Sequence, residues 1–369
     1  MTLNRRQALT AMGAAAAFAM PSIRPSRAAG GTLNIYNWSD YIGENTIKDF
    51  EAETGVKVVY DLYASAEEMQ AKMLAGSTGY DVVIQSSVTL PQMLKAGVYQ
   101  KLDKSKLSGW ANLDDEIVKI LDGVDPGNQY GVPYMWGSVG FTYNMDAVKK
   151  ALPGVDLNSL DAVFDPENAK KLGACGLSIL DSPTDIGYMV LKYLGINPDT
   201  AGPEDYKKMA DAFAKIRPSI TTFDSANYLT TLPNNEVCAA NTWSGDYNVA
   251  KSRAAEAGIK IDLQYFVPKT GAPAWFDLWC IPADAKNVDN AYLFLNFMLR
   301  PEVVAACTNT TGYANANKAA TALVDPATAA DPAVYPDAET RSRLFTPKPQ
   351  TPEQEEALTR IWTEIKTGG

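Results

Sequence analysis

From residue 32 onwards, short apolar segments alternate with segments whose apolar residues recur at helical spacing. Three of these segments have the length and composition of buried strands, and two intervening ones have the spacing of amphipathic helices. We expect the strands at residues 33–36, 56–60 and 82–84, and the helices at 46–54 and 66–75. This βαβαβ order predicts a parallel sheet that is covered by helices on both faces.

A second series of the same kind begins near residue 139. Its strands are predicted at residues 139–143, 176–180, 237–242 and 259–266, and its helices at 186–194, 204–216 and 247–257. A strand at 275–281, helices at 287–298 and 301–308 and an amphipathic helix at 352–366 follow. Two series of strands and helices predict two α/β lobes.

The chain contains no histidine among its 369 residues. This excludes Ser-His-Asp and Cys-His catalytic arrangements, two-histidine zinc sites and a general base with an unperturbed pKa near neutrality. An enzyme of this composition would have to rely on carboxylates, Lys, Tyr, Cys or a cofactor.

The N-terminus has the three parts of an export signal in order. Arg5 and Arg6 precede an apolar run at residues 8–20, and Ser26-Arg27-Ala28 has small residues where signal peptidase reads the chain. We therefore expect residues 1–28 to be removed and the mature protein to reside in an extracytoplasmic compartment. The paired arginines resemble a twin-arginine signal, and ordinary Sec export is the alternative. A membrane anchor is disfavoured because a span needs about 20 apolar residues.

The charge balance is acidic, with a formal net charge of −10. Removing the four arginines of residues 1–28 would leave 29 basic against 43 acidic residues, a net charge of −14. Such a surface repels nucleic acid and anionic lipid and attracts cations. We therefore expect no nucleic-acid partner.

The four cysteines, Cys175, Cys238, Cys280 and Cys307, show no CxxC spacing. This argues against a zinc or iron–sulfur site and is compatible with one or two disulfides in an oxidising compartment. The spacing leaves all three pairings open, as well as free buried thiols. We expect neither a metal nor a cofactor.

Five segments at or near predicted strand ends combine aromatic and acidic or polar residues, at 37–41, 181–185, 242–246, 275–277 and 311–315. Ligands of open α/β sheets bind beyond the carboxyl ends of the strands. Each segment alone is more typical of core packing beside a helix N-cap. Together they predict a cleft of rings and carboxylates without an opposing Lys or Arg. Its natural ligand is an extended organic cation with methylenes between its charges.

Several longer segments make the sequence recognisable, at residues 35–42, 74–83, 133–136, 276–277 and 313–320. With these segments the mature chain resembles the periplasmic polyamine-binding proteins of ABC importers, in particular their putrescine/spermidine-binding branch. The resemblance extends over essentially the whole mature chain.

The resemblance implies a type II periplasmic binding protein fold, in which two α/β lobes joined by hinge strands enclose the ligand cleft. We expect residues 29–135 plus 266–310 to form the N-terminal lobe and residues 136–265 plus 311–369 to form the C-terminal lobe. It also implies a monomeric binding protein without enzymatic activity, which delivers a polyamine to an inner-membrane ABC permease and has no membrane span of its own.

Carried over residue by residue, the resemblance implies a set of ligand-binding residues. The rings around the methylene chain would be Trp38, Trp243, Trp275 and Tyr313. The carboxylates at one ammonium end would be Asp246 and Asp277. The other end would be lined by Ser39, Asp40, Tyr41 and Ser86, and the second lobe would add Asp185 and Ser225. The family pattern also implies a disulfide between Cys175 and Cys238, and it leaves Cys280 and Cys307 open.

Two positions depart from the family pattern. Asp185 stands where the family commonly has Glu, so the shorter acid would reach the ligand through water or not at all. Trp275 stands where putrescine-binding members tend to have Phe, and Trp there resembles spermidine-preferring members. Both polyamines therefore remain open.

Two other interpretations compete with this one. A binding protein of the same fold could take another organic cation or a neutral solute, whereas an anionic solute would call for Arg at the strand ends. An extracellular glycosidase could use two carboxylates such as Asp246 and Asp277. It would need an acid of raised pKa facing a nucleophile or base, and nothing in the sequence indicates one.

Overall fold

A computed structural model describes residues 30–63 and 66–368 of the chain. The predicted signal segment, residues 1–28, lies outside the described residues. Eleven strands lie in the described part. They are β1 (Thr32–Trp38), β2 (Lys57–Tyr63), β3 (Val82–Ser86), β4 (Gly131–Asn144), β5 (Leu177–Ile179), β6 (Thr222–Phe223), β7 (Ala239–Trp243), β8 (Leu263–Phe266), β9 (Ala272–Cys280), β10 (Ala314–Asn315) and β11 (Leu344–Phe345).

The same residues contain sixteen α-helices. They are α1 (Thr46–Thr54), α2 (Ala66–Ala75), α3 (Leu90–Lys95), α4 (Asp115–Leu121), α5 (Met145–Ala151), α6 (Asp161–Phe164), α7 (Pro166–Gly173), α8 (Tyr188–Tyr193), α9 (Pro203–Ile216), α10 (Tyr228–Thr231), α11 (Ser244–Glu256), α12 (Val288–Met298), α13 (Pro301–Thr311), α14 (Pro326–Ala329), α15 (Ala338–Arg343) and α16 (Pro352–Thr367). No described helix has both the length and the apolar character that a membrane span requires.

The strands follow the order β2-β1-β3-β9-β4-β7-β5-β6. The strands β1, β2 and β3 are parallel to one another, as are β5, β6 and β7. The expectation of parallel pairing is therefore correct for these two groups. It is wrong for β4 and β8, which pair antiparallel with each other and with their other neighbours. It is also wrong for β9, which is antiparallel to β3 and β4 and parallel to the short β11.

The two long strands β4 and β9 lie in the middle of this order and connect its two halves. In β4, residues from Gly131 to Ser138 pair with β9, and residues from Val139 to Asn144 pair with β7 or β8. Residues of β9 likewise pack into both cores, with Ala272 in one and Phe276 in the other. The strands β4 and β9 are therefore the hinge strands of the two-lobe fold.

Two separate hydrophobic cores flank the hinge strands. The first includes Ile35 and Phe50, and the second includes Phe141 and Phe213, all at most 1% exposed. The two-lobe α/β fold class is thereby confirmed. The predicted lobe boundaries remain a prediction, and core packing departs from them in two places. Residues 313–324 contribute apolar side chains to the first core, and residues 267–272 contribute to the second.

The C-terminal helix α16 packs one face into the second core, as its sequence pattern predicts. Leu358, Ile361, Trp362 and Ile365 are all buried. The indole Nε1 of Trp362 donates a hydrogen bond to Oδ1 of Asp181 at 2.7 Å. Asp181, one of the acids at a predicted strand end, is thereby bonded to the C-terminal helix.

Cys175 and Cys238 form a disulfide, with their Cα atoms 5.5 Å apart. This confirms the pairing that the family resemblance implies. The bond lies within the second lobe. It joins Cys175, shortly after the end of α7, to Cys238, the residue before β7. Cys280 and Cys307 are free, buried thiols.

Candidate functional site

The candidate residues lie on elements that meet around the hinge strands. Trp38 is the last residue of β1, and Trp243 is the last residue of β7. Trp275 and Asp277 lie on β9 itself, and Tyr313 lies between α13 and β10. Trp38 and Trp243 therefore lie at strand ends, where ligands of α/β sheets bind. The expectation of a strand end at 275–277 is wrong, because β9 begins at Ala272 and continues to Cys280.

Asp246 is bonded by two tyrosine hydroxyls. Tyr313 donates to Oδ1 of Asp246 at 2.6 Å, and Tyr228 donates to Oδ2. Burial raises the pKa of the Asp246 carboxyl, and the two hydrogen bonds act in the opposite direction. The carboxylate is therefore held in place on both oxygens.

Tyr313 also forms the centre of a cluster of rings. Its ring lies 5.5 Å from that of Tyr41 and 5.1 Å from that of Trp275, edge to face in both cases. The same ring packs on the backbone of Gly245, where a Cβ atom would lie only 2.5 Å from it. This close approach requires glycine, and it brings the first turn of α11 against the ring cluster.

Asp277 is the second carboxylate of the site and is buried, only 4% exposed. It lies opposite Ser86 in the antiparallel pairing of β3 with β9. Burial raises the pKa of the Asp277 carboxyl to about 7, against the lowering effect of the Tyr41 and Ser86 hydroxyls. A carboxyl with this pKa needs a positive partner before it ionises fully at neutral pH.

Arg253 is a basic residue that acts on Asp246 without forming an ion pair with it. Its charge lowers the pKa of Asp246, but its Nη2 pairs with Oδ2 of Asp40 at 3.6 Å. Asp40 lies in the turn after β1, with a left-handed φ of 54°. No Lys or Arg of the described residues forms an ion pair with Asp246 or Asp277.

Asp185 and Trp243 form a pair of their own. The indole Nε1 of Trp243 donates to Oδ2 of Asp185 at 3.0 Å, and Asp185 lies in the π-helical turn Pro183–Gly187. The carboxylate thus orients the Trp243 ring. Direct contact of Asp185 with a ligand stays a prediction.

The remaining candidates are placed less centrally. The ring of Trp38 packs on Tyr63 at 4.4 Å, and Ser39 is exposed in the following turn. Ser225 Oγ accepts a hydrogen bond from the backbone N–H of Asp181 at 3.1 Å. Among the described residues, no hydrogen bond or ring contact joins Trp38, Ser39 or Ser225 to the cluster around Tyr313.

Two residues of the site escaped the sequence analysis. Tyr228 lies on the short helix α10. The one sequence feature that could have pointed to it is its position three residues after the predicted site residue Ser225. Arg253 lies seven residues after Asp246 on α11, which is two helical turns and hence the same face. Helical spacing could have indicated Arg253, whereas the contact of Tyr228 with Asp246 spans 18 residues between separate elements.

The arrangement suits a cation rather than a reaction centre. Ring faces attract cations, and carboxylates give strong hydrogen bonds to ammonium groups. In the described residues, acids and cysteines do not gather in the groups of three or more that hold metal ions.

Comparison with known proteins agrees with this interpretation. The family model of the bacterial extracellular solute-binding proteins matches residues 45–336. The putrescine-binding periplasmic protein SpuD of Pseudomonas aeruginosa (strain UCBPP-PA14) is 48% identical over 337 residues, which cover 91% of this chain and 92% of SpuD. The putrescine-binding periplasmic protein PotF of Escherichia coli (strain K12) is 45% identical, and the match covers 100% of both chains.

A solved structure shares the fold. It is a putative spermidine/putrescine ABC transporter from Listeria monocytogenes, with a TM-score of 0.80 at 31% identity, covering 91% of this chain and 98% of that one. The resemblance to polyamine-binding proteins that the sequence predicts is thereby confirmed. These relatives are binding proteins of transport systems, in agreement with the expectation that the chain is not an enzyme. The chain belongs to the family of bacterial extracellular solute-binding proteins.

Proposed function

We propose that this protein binds a polyamine between its two lobes in the periplasm and delivers it to an ABC permease, with putrescine as the first candidate. The observation that carries the proposal is a pair of carboxylates, the partly buried Asp246 and the buried Asp277. They have no ion-pair partner among the described residues and adjoin the rings of Tyr41, Trp275 and Tyr313.

Buried carboxylates without a counter-charge are energetically unfavourable, and a cationic ligand would relieve that cost. Polyamine amines resemble the lysine amine, whose pKa is about 10.4, and are charged at neutral pH. An ammonium 4 Å from a carboxylate is attracted by about 4 kcal/mol at an effective dielectric constant of 20, before desolvation. Two such contacts with ring stacking support a Kd in the micromolar range or below, on the order of −8 to −10 kcal/mol.

Two further polar atoms of the site support a polar ligand. The hydroxyl of Tyr41 and the indole Nε1 of Trp275 are buried without a hydrogen-bond partner of ordinary geometry in the described residues. The Tyr41 oxygen could accept a hydrogen bond from an ammonium group near Asp277. We assign the methylene chain of the ligand to the rings of Trp38, Trp243, Trp275 and Tyr313.

Putrescine is placed first because SpuD and PotF, at 48% and 45% identity over most of the chain, are named as putrescine-binding. Trp275 favours spermidine through the family pattern, so spermidine is the second ligand to test. The glycosidase alternative would have used the raised pKa of Asp277, but membership of a binding-protein family removes its basis. We further propose that the protein acts as a monomer.

Isothermal titration calorimetry tests this function. The protein would be freed of carried-over ligand by unfolding and refolding, then titrated with putrescine, spermidine, cadaverine, agmatine, neutral amino acids and sugars. We expect stoichiometric binding of putrescine or spermidine, weakened by about tenfold or more in Asp246→Asn and Asp277→Asn. Asp211→Asn, on the exposed face of α9, is the matched control and should bind as the unmodified protein does.

Absence of binding to every polyamine would refute the proposal. Preferential binding of another organic cation or of a neutral solute would replace polyamines by that solute class within the same family.

A further inference from the structure

Tyr228 is joined to the site by a hydrogen bond to Asp246. Its hydroxyl donates to Oδ2 of that carboxylate, and its side chain is only 1% exposed in the second core. The helix that carries it, α10, packs against α11, which carries Asp246. A buried hydroxyl at this position has no access to solvent and is committed to the carboxylate.

The two hydroxyls that hold Asp246 come from different lobes. Tyr228 belongs to the second core together with α11, whereas Tyr313 belongs to the first core. A hinge motion that separates the lobes would move Tyr313 away from Asp246 and leave Tyr228 beside it. In an open protein, Tyr228 is therefore the hydroxyl that still fixes the carboxylate.

We propose that Tyr228 is a positioning residue, whose hydroxyl fixes and preorganises the Asp246 carboxylate as an acceptor for an ammonium group of the ligand. The inference deepens the proposed polyamine-binding function and rests on it. Preorganisation favours binding because the side chain is ordered before the ligand arrives, which lowers the entropic cost of association.

The remaining acceptor capacity of Asp246 is consistent with this role. An ionised carboxylate has about four lone-pair sites on its two oxygens. Tyr228 and Tyr313 each occupy one site, on different oxygens. The other sites remain for a ligand, and the bond to Tyr228 restricts rotation of the carboxylate about its χ2 angle.

The hydroxyl also changes the charge state of Asp246, together with the groups that face it from other elements. Burial raises the pKa of Asp246, the hydrogen bonds from Tyr228 and Tyr313 and the charge of Arg253 lower it, and Asp40 raises it. Two further groups face this part of the site. The phenol of Tyr265 on β8 interacts electrostatically with Asp246. The carboxylate of Asp185 interacts in the same way with Tyr228 and with Tyr265. Removing the Tyr228 donor raises the Asp246 pKa, so a cation would lose more affinity at acidic pH than at alkaline pH.

The test compares Tyr228→Phe with the matched control Tyr206→Phe. Tyr206 is a buried tyrosine of the same core whose hydroxyl accepts a hydrogen bond from Gln350 and does not touch Asp246. Putrescine is titrated at pH 8 and pH 5.5. At pH 8 the affinity of Tyr228→Phe should be about tenfold weaker than that of the unmodified protein, since a hydrogen bond to a charged group is lost. The ratio of the two affinities should be larger at pH 5.5, and Tyr206→Phe should show neither effect.

A second measurement does not depend on any ligand. Carboxyl NMR of 13C-aspartate-labelled protein, with the Asp246 signal assigned through Asp246→Asn, should show Asp246 titrating at higher pH in Tyr228→Phe than in the unmodified protein or in Tyr206→Phe.

The outcomes separate the two proposals. If the unmodified protein binds putrescine and Tyr228→Phe leaves both the affinity and the Asp246 titration unchanged, the positioning role is refuted. An equal loss in Tyr206→Phe, or a loss that is the same at both pH values, also refutes it, because a general packing defect would act in that way. If the unmodified protein binds no polyamine, the proposed function fails, and with it the ligand part of this inference.

Discussion

The hydroxyl of Tyr313 lies 2.6 Å from Oδ1 of Asp246, and this hydrogen bond joins a side chain of the first core to a helix of the second. The ion pair of Asp40 with Arg253 connects the turn after β1 to the same helix, but it is exposed and its atoms are 3.6 Å apart. Exposed pairs of this kind contribute little, about 0 to 1 kcal/mol. The shorter and less exposed bond of Tyr313 to Asp246 is therefore the stronger polar link between these parts of the molecule.

Replacing Tyr313 by Phe should weaken putrescine binding by about tenfold, because a hydrogen bond to the partly buried Asp246 carboxylate is lost and the closed arrangement becomes less stable. Calorimetry measures the affinity, and small-angle scattering at saturating putrescine should show a larger radius of gyration. Tyr292→Phe is the control, since Tyr292 is also 7% exposed in the first core and its hydroxyl accepts the N–H of Asp103. Unchanged affinity in Tyr313→Phe would contradict the prediction.

Polyamine affinity should rise with pH between about 5 and 8, because Asp277 must lose its proton to bind an ammonium group. The pKa of Asp277 is raised to about 7 by burial. Below that pH the affinity should fall by up to about tenfold per pH unit for this one group. Calorimetry in buffers of different ionisation enthalpy should detect the released proton, and this release should be reduced in Asp277→Asn. A pH-independent affinity in the unmodified protein would contradict this.

The raised pKa of Asp277 also predicts how the stability of the ligand-free protein depends on pH. Its folded pKa lies above the unfolded value of about 3.9, so the folded state holds the proton more tightly. The contribution to the free energy of unfolding is therefore fully present below pH 4 and is lost as pH rises through about 7. Asp277→Asn should lessen the fall in urea midpoint between pH 5 and pH 8, and an identical fall in both proteins would be inconsistent with the raised pKa.

Much of the fold could be predicted because local pattern and tertiary burial agree. The helices at 46–54 and 66–75 were predicted with the bounds that α1 and α2 have, since each ends at a glycine in the left-handed region. The first half of β4 was missed. Residues 131–138 are nearly all buried on both faces, so neither alternation nor helical spacing identifies them as a strand.

The candidate site could be predicted only in part. Asp246, Asp277 and Tyr313 follow from strand ends and the family resemblance, and they lie in or beside one cluster of rings. Tyr228 could not be predicted, because its role depends on how α10 packs against α11. The assignment of Ser225 to the ligand stays a prediction, since its hydroxyl already accepts a backbone N–H.

Gly245→Ala should weaken polyamine binding without unfolding the protein. The added Cβ would lie 2.5 Å from the Tyr313 ring, so the ring must move away from α11 and from Asp246. We expect a loss of about tenfold or more, since both the ring contact and the hydrogen bond are disturbed. Gly202→Ala is the control, because no atom lies within 4 Å of its Cβ position. Equal affinities of Gly245→Ala and Gly202→Ala for putrescine would show that the close approach does not matter.

Reducing the disulfide between Cys175 and Cys238 should destabilise the second lobe and leave the ligand contacts in place. The bond closes a loop with a sequence separation of 63 residues. Loop-closure entropy predicts a loss of about 4 kcal/mol in the free energy of unfolding. Because Cys280 and Cys307 are already free and buried, dithiothreitol acts on this one bond among the described cysteines, and the double variant Cys175→Ser/Cys238→Ser provides the matched comparison. Urea unfolding should show a lower midpoint in the reduced protein and in the double variant than in the oxidised protein. The midpoint of the double variant should not change on addition of dithiothreitol. Equal midpoints for oxidised and reduced protein would show that the bond contributes nothing to stability.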